Sequence, residues 1–269
     1  MRPVPEPARR GSVNLLLIAA CAIMAGMAKS AFVAGATGLT GRHVVERVLA
    51  RGVAAVAHVR PDSPRIKEWR ERFVGSGASV DDTPWEADAI ARTIAERRPT
   101  EIFACLGTTR ARAKETARAG GDASRESYDA VDVAMTEMLI AAARAAGSVE
   151  RFVYLSSIGA GPGARGSYLE ARTRVESTLE KSGVPYTIVR PSFIVGDRDV
   201  PRGGENVFGA VANAGLGVLG ALGARTLRDR YRSISGADLA EAMVAIAGKS
   251  EWTDRVARGE DLQFMLGAP

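Results

Sequence analysis

The fold is decided by residues 30–41, which read SAFVAGATGLTG. The first five residues are small or apolar, as in a buried strand, and the next seven contain three glycines. In the segment that follows, Val44, Val45 and Val48 are spaced so that they share one face of a helix. The order therefore predicts a strand, a glycine turn and an amphipathic helix.

A turn in this position suits the pyrophosphate of a dinucleotide. Glycines let the backbone bend sharply and approach the phosphates, and the N-terminus of the helix stabilises their charge. The spacing is GxxGxxG rather than GxGxxG, so the prediction depends on the placement between strand and helix. A strand-to-helix turn without a ligand is the alternative. The predicted cofactor-binding residues of this turn are Gly35, Thr37, Gly38, Leu39, Thr40 and Gly41.

The bulk composition fits an α/β protein with one main domain. The chain has 269 residues, of which 46% are hydrophobic, and this is enough for a sizeable core. The formal charge of +5 is small and dispersed, which argues against a nucleic-acid partner. Cys21 and Cys105 lie far apart and outside any CxxC pair, so no disulfide framework and no metal site are predicted. We expect a cytoplasmic monomer or homodimer.

Residues 1–27 form an N-terminal extension ahead of the predicted domain at 28–269. Two arginines, Arg9 and Arg10, precede an uncharged run at 13–28, an arrangement similar to a signal peptide. The run is short for a membrane span, and the first strand follows almost at once. We favour a start assigned too far upstream or a simple extension. An export signal or a membrane anchor through residues 13–28 is the alternative.

The second predicted strand, 54–59, ends at Arg60. An acidic residue there would hydrogen-bond the ribose hydroxyls of NAD, whereas an arginine suits the 2′-phosphate of NADP. We therefore expect NADP(H) to be preferred over NAD(H), with Arg65 and Lys67 as further contributors. The alternative is that Arg60 is a solvated loop residue. Asp82, after a short third strand, would contact the adenine or cap its loop.

Two more strands bring small and hydroxyl-bearing residues to the same edge of the sheet. Strand 100–106 ends at Leu106 and leads into Gly107 and Thr108, a turn that would line the cofactor ribose. The fifth strand, 151–155, is followed by Ser157.

Ser157, Tyr168 and Arg172 form the candidate catalytic set. Tyr168 and Arg172 are one helical turn apart and share a face. Ser157 would hold the substrate oxygen, Tyr168 would donate or accept a proton, and the Arg172 cation would favour the phenolate. Such a set moves a proton while hydride passes to or from a nicotinamide.

The remaining segments contribute mainly to packing. A helix is predicted at 85–98, a mobile loop at 110–125, and a long helix from Tyr128 whose methionines belong to the core. The uncharged run 207–224 is interpreted as a lid or packing segment on the substrate side, with membrane contact as the less favoured alternative. A helix is predicted at 235–248 and a late strand at 262–266.

The chain resembles atypical short-chain dehydrogenases/reductases of the NmrA-like type, and most of all the Tat-interacting-protein-like branch. The likeness covers about residues 29–248, and its motifs are ACLGTTR at 104–110, YLEAR at 168–172 and VRPSFIVGDR at 189–198. It implies an α/β fold, a Rossmann-type doubly wound parallel sheet with a small C-terminal substrate-side lobe mainly in 197–235. It also implies an NAD(P) cofactor whose nicotinamide ring borders Pro191 and Phe193.

One position departs from the pattern of that family, which is Tyr-x-x-x-Lys, because Arg172 stands where the lysine belongs. Arginine keeps the positive charge but cannot release a proton, and its planar fork differs from an ammonium group. Two hypotheses follow. Arg172 faces the cofactor ribose as a working substitute, or it pairs with Glu176 along its own helix.

Three functions are compatible with these patterns. The first is an NAD(P)H-dependent oxidoreductase that acts on an unidentified small carbonyl or hydroxyl substrate. The second is a catalytically weak NADP(H)-binding regulator, or redox sensor, that acts through a protein partner; it is suggested by Arg172. The third, a membrane-associated assembly or quinone-pathway protein, rests on the two uncharged runs.

Overall fold

The computed structural model describes residues 29–108, 118, 120, 127–196 and 231–267. The predictions for the N-terminal extension and for the uncharged run 207–224 lie outside these residues. Most of the predicted loop at 110–125 and of the substrate-side lobe at 197–235 lies outside them as well.

The described elements alternate between strands and helices. The strands are β1 Ser30–Ala34, β2 Ala54–His58, β3 Ser79–Asp81, β4 Glu101–Ala104, β5 Arg151–Leu155, β6 Tyr186–Arg190, β7 Ile194–Val195, β8 Ile234–Ser235 and β9 Arg255–Arg258. The α-helices are α1 Gly41–Ala50, α2 Ile66–Gly75, α3 Ala87–Arg97, α4 Met135–Ala146, α5 Ser167–Glu180, α6 Gly236–Ala247 and α7 Gly259–Met265. A π-helical segment, Tyr128–Ala134, leads directly into α4, and a 3₁₀ turn, Ser250–Trp252, precedes β9.

Seven of the strands form one parallel sheet in the order β3-β2-β1-β4-β5-β6-β9. The strands β7 and β8 pair separately in a short parallel ribbon. The chain moves outward from β1 in one direction and from β4 in the other, so the order reverses between these two central strands. Ligands of such sheets bind at the carboxyl ends of the strands at this reversal. The predicted Rossmann-type doubly wound sheet is confirmed.

The sheet is covered on both faces, and alternate residues of β1 enter the two layers. Ala31 and Val33 belong to the core with α1, α2 and α6, whereas Phe32 and Ala34 belong to the core with α3, α4 and α5. Parallel strands buried on both faces have continuous apolar sequences, as in 30–34. On α1, the predicted face formed by Val44, Val45 and Val48 is buried against the sheet.

The C-terminal part of the chain supports the glycine turn. At Gly236, the first residue of α6, an added Cβ would lie 2.8 Å from the carbonyl oxygen of Leu39. Farther along the two packed helices, the Arg51 guanidinium donates a hydrogen bond to the carbonyl of Val244. The turn between β1 and α1 is therefore held in place by a helix from the far end of the sequence.

The late strand expected at 262–266 is wrong. The last strand is Arg255–Arg258, and the chain then turns into α7. The carboxylate of Asp261 accepts a hydrogen bond from the backbone N–H of Arg258 at 2.8 Å, which begins the helix, and Leu262 is buried in the core. Among the residues that the structure describes, no helix is long and apolar enough to cross a membrane.

Candidate functional site

The glycine turn is tight enough to require glycine at two positions. Gly35 has a φ of 78°, and a Cβ there would lie 2.5 Å from the carbonyl oxygen of Cys105. A Cβ at Gly41 would collide with the carbonyl oxygen of Gly35. That same oxygen accepts a hydrogen bond from the N–H of Gly38 at 2.9 Å, which closes the turn.

The start of α1 has the properties of an anion-binding helix terminus. Thr40 occupies the N-cap position, but its side chain makes no capping hydrogen bond, and the first turn contains no acidic residue. The positive end of the helix dipole is thus not neutralised by a side chain of the first turn. A pyrophosphate fits this arrangement. Thr37, Gly38 and Leu39 lie in the same turn, half-buried.

At the end of β2, the basic residues already have acidic neighbours. Arg60 lies 3.6 Å from Asp62, and Arg65 makes two hydrogen bonds with Glu68. Asp82 forms an ion pair of 2.8 Å with Arg70, and both side chains are exposed. A 2′-phosphate at Arg60 would therefore compete with Asp62 for the guanidinium.

The capping role that the sequence suggested for Asp82 is filled by the neighbouring Asp81. Asp81 ends β3 and accepts a hydrogen bond from the N–H of Thr83 at 3.0 Å. Its other oxygen accepts a hydrogen bond from Arg97 at 2.9 Å. The contact of Asp82 with adenine stays a prediction.

Arg172 supports the turn after β4 through contacts with the backbone of that turn. The carbonyl of Leu106 accepts a hydrogen bond from Arg172 Nη2 at 3.2 Å, and a Cβ at Gly107 would lie 2.8 Å from the same nitrogen. The N–H of Thr108 donates to Asp132 Oδ2 at 3.0 Å. Leu106 and Thr108 are buried while Gly107 is exposed, so the glycine both admits the guanidinium and faces outward.

Arg172 is buried and forms its ion pair with Asp132, at 2.7 Å. Its Nη1 also donates to the carbonyl of Leu155 at 2.7 Å and to the hydroxyl of Tyr154 at 3.2 Å. The hypothesis that Arg172 pairs with Glu176 is therefore wrong. Its Nε is buried without a hydrogen-bond partner among the described residues. Contact with the cofactor ribose stays a prediction.

Glu176 has other partners, because it faces β5 and β6 rather than its own helix. Arg190 donates two hydrogen bonds to its carboxylate, at 2.9 and 2.6 Å. The hydroxyl of Ser156 donates a third, at 2.6 Å. This cluster connects the ends of two neighbouring strands to α5. It also engages the hydroxyl of Ser156 as a hydrogen-bond donor.

The analysis of the sequence missed Asp132. The helix from Tyr128 is where it was predicted, but its first seven residues are π-helical rather than α-helical. This wider turn accommodates the buried carboxylate, which bonds Thr108 and Arg172, and π-helical turns are frequent at functional sites. The available signal was an aspartate between Val131 and Val133 in a segment expected to be buried.

Tyr168 lies beside the buried cation. The guanidinium carbon of Arg172 is 5.3 Å from the centre of the Tyr168 ring and 5.7 Å from that of Tyr154. The ring of Tyr128 packs on Tyr168 at 5.3 Å. Within the described part of the chain, the Tyr168 hydroxyl has no hydrogen-bond partner, so it remains open to a substrate.

Ser157 and the end of β6 lie next to each other. Ser157 is half-buried, and its hydroxyl donates to the neighbouring carbonyl of Ile158 at 3.3 Å. The N–H of Ile158 in turn donates to the carbonyl of Pro191 at 2.8 Å. Phe193 is 50% exposed.

Two other groups near Arg172 are unsuited to proton transfer or nucleophilic attack at neutral pH. Burial raises the pKa of the Cys105 thiol to about 12 and the pKa of the Tyr154 hydroxyl to about 12. Burial also raises the pKa of Asp132, although the charge of Arg172 and the N–H of Thr108 oppose this change. Tyr168 is thus the better candidate for proton transfer than Tyr154.

Comparisons with known sequences show the family of the chain. The sequence model of the NAD(P)H-binding family matches residues 35–250. "Protein FMP52-1, mitochondrial" from Scheffersomyces stipitis is 29% identical over 225 residues, which cover 82% of this chain and 89% of that protein. "Protein FMP52, mitochondrial" from Coccidioides immitis is 31% identical over 196 residues, covering 70% and 74%.

Solved structures show the same fold at low sequence identity. The UDP-glucose 4-epimerase of Thermus thermophilus, solved with NAD, has a TM-score of 0.57 at 18% identity and covers 87% of this chain and 81% of its own. That of Thermotoga maritima, solved with UDP-glucose, also has a TM-score of 0.57, at 17% identity, covering 89% and 83%. Together with the family match and the glycine turn, these similarities show that the chain belongs to the NAD(P)H-binding family, with FMP52 proteins among its relatives.

Proposed function

We propose that the protein is an NADP(H)-dependent oxidoreductase that interconverts a small carbonyl compound and its alcohol. The observation that carries this proposal is the position of Arg172. Its guanidinium contacts the Tyr168 ring and also hydrogen-bonds the 106–108 turn. One buried residue therefore links the proposed proton-transfer group to the proposed cofactor-binding turn.

Each part of the cofactor has a matching region along the sheet edge. The glycine turn would hold the pyrophosphate, Arg60 the 2′-phosphate, and the 106–108 turn the ribose next to the nicotinamide. Pro191 and Phe193 would border the nicotinamide ring. When bound, the cofactor supplies or accepts hydride.

The protein's own residues would manage the substrate oxygen and its proton. Ser157 would hold the oxygen by a hydrogen bond, and Tyr168 would donate the proton to it or remove the proton from it. Arg172 would favour the phenolate through its charge. Because Asp132 lies 2.7 Å from the guanidinium, this charge is largely compensated, and the assistance is weaker than that of an uncompensated cation.

Turnover is the test of this proposal. We expect NADPH oxidation with at least one member of a panel of small aldehydes and ketones, and a decrease of about 10²-fold in kcat for Tyr168→Phe. Tyr128→Phe is the matched control, since it removes a hydroxyl from the ring that packs on Tyr168. It should keep kcat within a few-fold of the parent. Equal rates for the parent and Tyr168→Phe would contradict the assigned role.

Cofactor preference provides a separate prediction. Arg60→Ala should weaken NADP(H) binding by about 1.5–3 kcal/mol and leave NAD(H) binding nearly unchanged, because only NADP(H) carries the 2′-phosphate. Asp62→Asn should strengthen NADP(H) binding, since it removes the acidic competitor at 3.6 Å. Calorimetric titration of both cofactors measures these effects, with Arg144→Ala, an exposed arginine of helix α4, as the control. Equal affinities of the parent for the two cofactors would refute the preference.

A regulatory function is the second candidate, and the compensated charge of Arg172 favours it. In that case the parent binds NADP(H) but reduces no member of the carbonyl panel, and Tyr168→Phe has no effect on cofactor affinity. A cytoplasmic location belongs to the same set of proposals, and fractionation of the source cells would test it against the mitochondrial location in the names of the FMP52 relatives.

A further inference from the structure

A second concave site lies beyond the proposed nicotinamide region. It is an open cavity of about 160 Å³ at the carboxyl ends of β5, β6 and β9. The residues that line it are Ile158, Gly159, Arg190, Tyr231, Arg258 and Gly259.

The size and place of this cavity suit part of a small substrate. Its volume is close to the roughly 150 Å³ that accepts a benzene molecule, and below the roughly 300 Å³ at which pockets for whole ligands begin. A dinucleotide does not fit it. Ile158 and Gly159, which line the cavity, directly follow Ser157 in the chain, so the cavity lies near the residue proposed to hold the substrate oxygen.

The two arginines of the cavity differ in their charge balance. Arg190 is compensated, because it donates two hydrogen bonds to the carboxylate of Glu176. Gly161 leaves room for this arrangement, since a Cβ there would lie 3.1 Å from Arg190 Nη2. Arg190 therefore forms a wall of the cavity rather than a free cation.

Arg258 has no ion-pair partner among the residues that the structure describes. Asp261, three residues further along the chain, accepts a hydrogen bond from the backbone N–H of Arg258 at 2.8 Å. The start of α7 thus depends on the backbone of Arg258, while its side chain is exposed and the residue belongs to the cavity lining. Tyr231, which is 41% exposed, belongs to the same lining.

We propose that this cavity binds an anionic group of the substrate, a carboxylate or a phosphate, through the guanidinium of Arg258. The inference rests on the proposed oxidoreductase function and names its substrate class: a small carbonyl compound with an acidic group distant from the reacting carbon. The planar fork of arginine matches the paired oxygens of either anion, and such charge-assisted bonds are stronger than neutral ones.

Matched aldehydes test the charge preference. We expect 4-carboxybenzaldehyde or 4-formylphenyl phosphate to be reduced with a kcat/KM at least about tenfold above that of the neutral methyl 4-formylbenzoate. The better of the two charged aldehydes identifies the anion. Arg258→Gln should remove the preference mainly by raising KM, and Arg258→Lys should restore part of it. Arg255→Gln, an exposed arginine at the other end of β9, is the control and should keep the preference.

A binding measurement separates this inference from the proposed function. Saturation-transfer NMR on the NADP⁺-loaded protein should detect 4-(hydroxymethyl)benzoate but not 4-methylbenzyl alcohol, and Arg258→Gln should abolish the signal. If no aldehyde is reduced but this dependence on Arg258 holds, the proposed function fails and the anion site stands. Binding or reduction of charged and neutral compounds that is unaffected by Arg258→Gln overturns the anion site.

Discussion

Replacing Arg172 by alanine is expected to lower the free energy of unfolding by about 3–5 kcal/mol. The substitution leaves the carboxylate of Asp132 buried without its counter-ion, and it also removes the hydrogen bonds to the carbonyls of Leu106 and Leu155. Because the 106–108 turn loses its support, cofactor affinity should fall as well, by about 1–3 kcal/mol. Urea denaturation and calorimetric titration measure the two effects.

Arg174→Ala is the matched control for this variant. Arg174 lies on the same helix, but its side chain is exposed and its ion pair with the exposed Asp129 spans 3.3 Å, so its loss should cost less than about 1 kcal/mol. Asp132→Asn combined with Arg172→Gln should destabilise the protein by less than the sum of the two single changes, since no uncompensated charge remains. Additive effects, or an Arg172→Ala variant as stable as the parent, would contradict the buried pair.

The second large effect is expected for Gly41→Ala. Its Cβ would collide with the carbonyl oxygen of Gly35, which also accepts the hydrogen bond that closes the turn. The backbone has to shift, at a cost of about 1–3 kcal/mol in the free energy of unfolding. Since the pyrophosphate is expected to contact this same backbone, we also expect NADP(H) affinity to fall by about 10²-fold, or roughly 2.7 kcal/mol.

Gly75→Ala provides the comparison, because Gly75 ends helix α2 and a Cβ there meets nothing within 4 Å. Its stability should stay within about 0.5 kcal/mol of the parent and its cofactor affinity should be unchanged. If Gly41→Ala binds NADP(H) as tightly as Gly75→Ala does, the glycine turn does not hold the cofactor.

The central part of the fold could be predicted because its signals are local. The run of small and apolar residues at 30–34 indicates a strand that is buried on both faces of the sheet. The three glycines that follow indicate a tight backbone turn in which larger side chains would collide. The collisions that a Cβ would cause at Gly35 and Gly41 confirm that the second signal was steric. Both signals depend on residues only a few positions apart.

The surroundings of Arg172 could not be predicted in this way. Spacing along a helix offered Glu176 as its partner, but the actual partner, Asp132, lies on another element, and Glu176 is engaged by Arg190. Which of the two carboxylates pairs with Arg172 depends on the packing of α5, β5 and the π-helical segment. Contacts between elements so far apart in the sequence leave no local pattern. The late strand failed for a similar reason, because 262–266 is apolar enough for a strand, and the bond from Arg258 to Asp261 turns it into a helix.

The contact between Leu39 and Gly236 has a consequence for how the protein is made. Synthesis on the ribosome runs from the N-terminus, so the nucleotide turn emerges among the first residues of the domain while its support emerges near the end. Until α6 has left the exit tunnel, the loop at Leu39 lacks the surface against which it packs. Nascent chains that stop before Gly236 should therefore expose this loop to proteases, and we expect the cofactor to bind only after α6 has emerged.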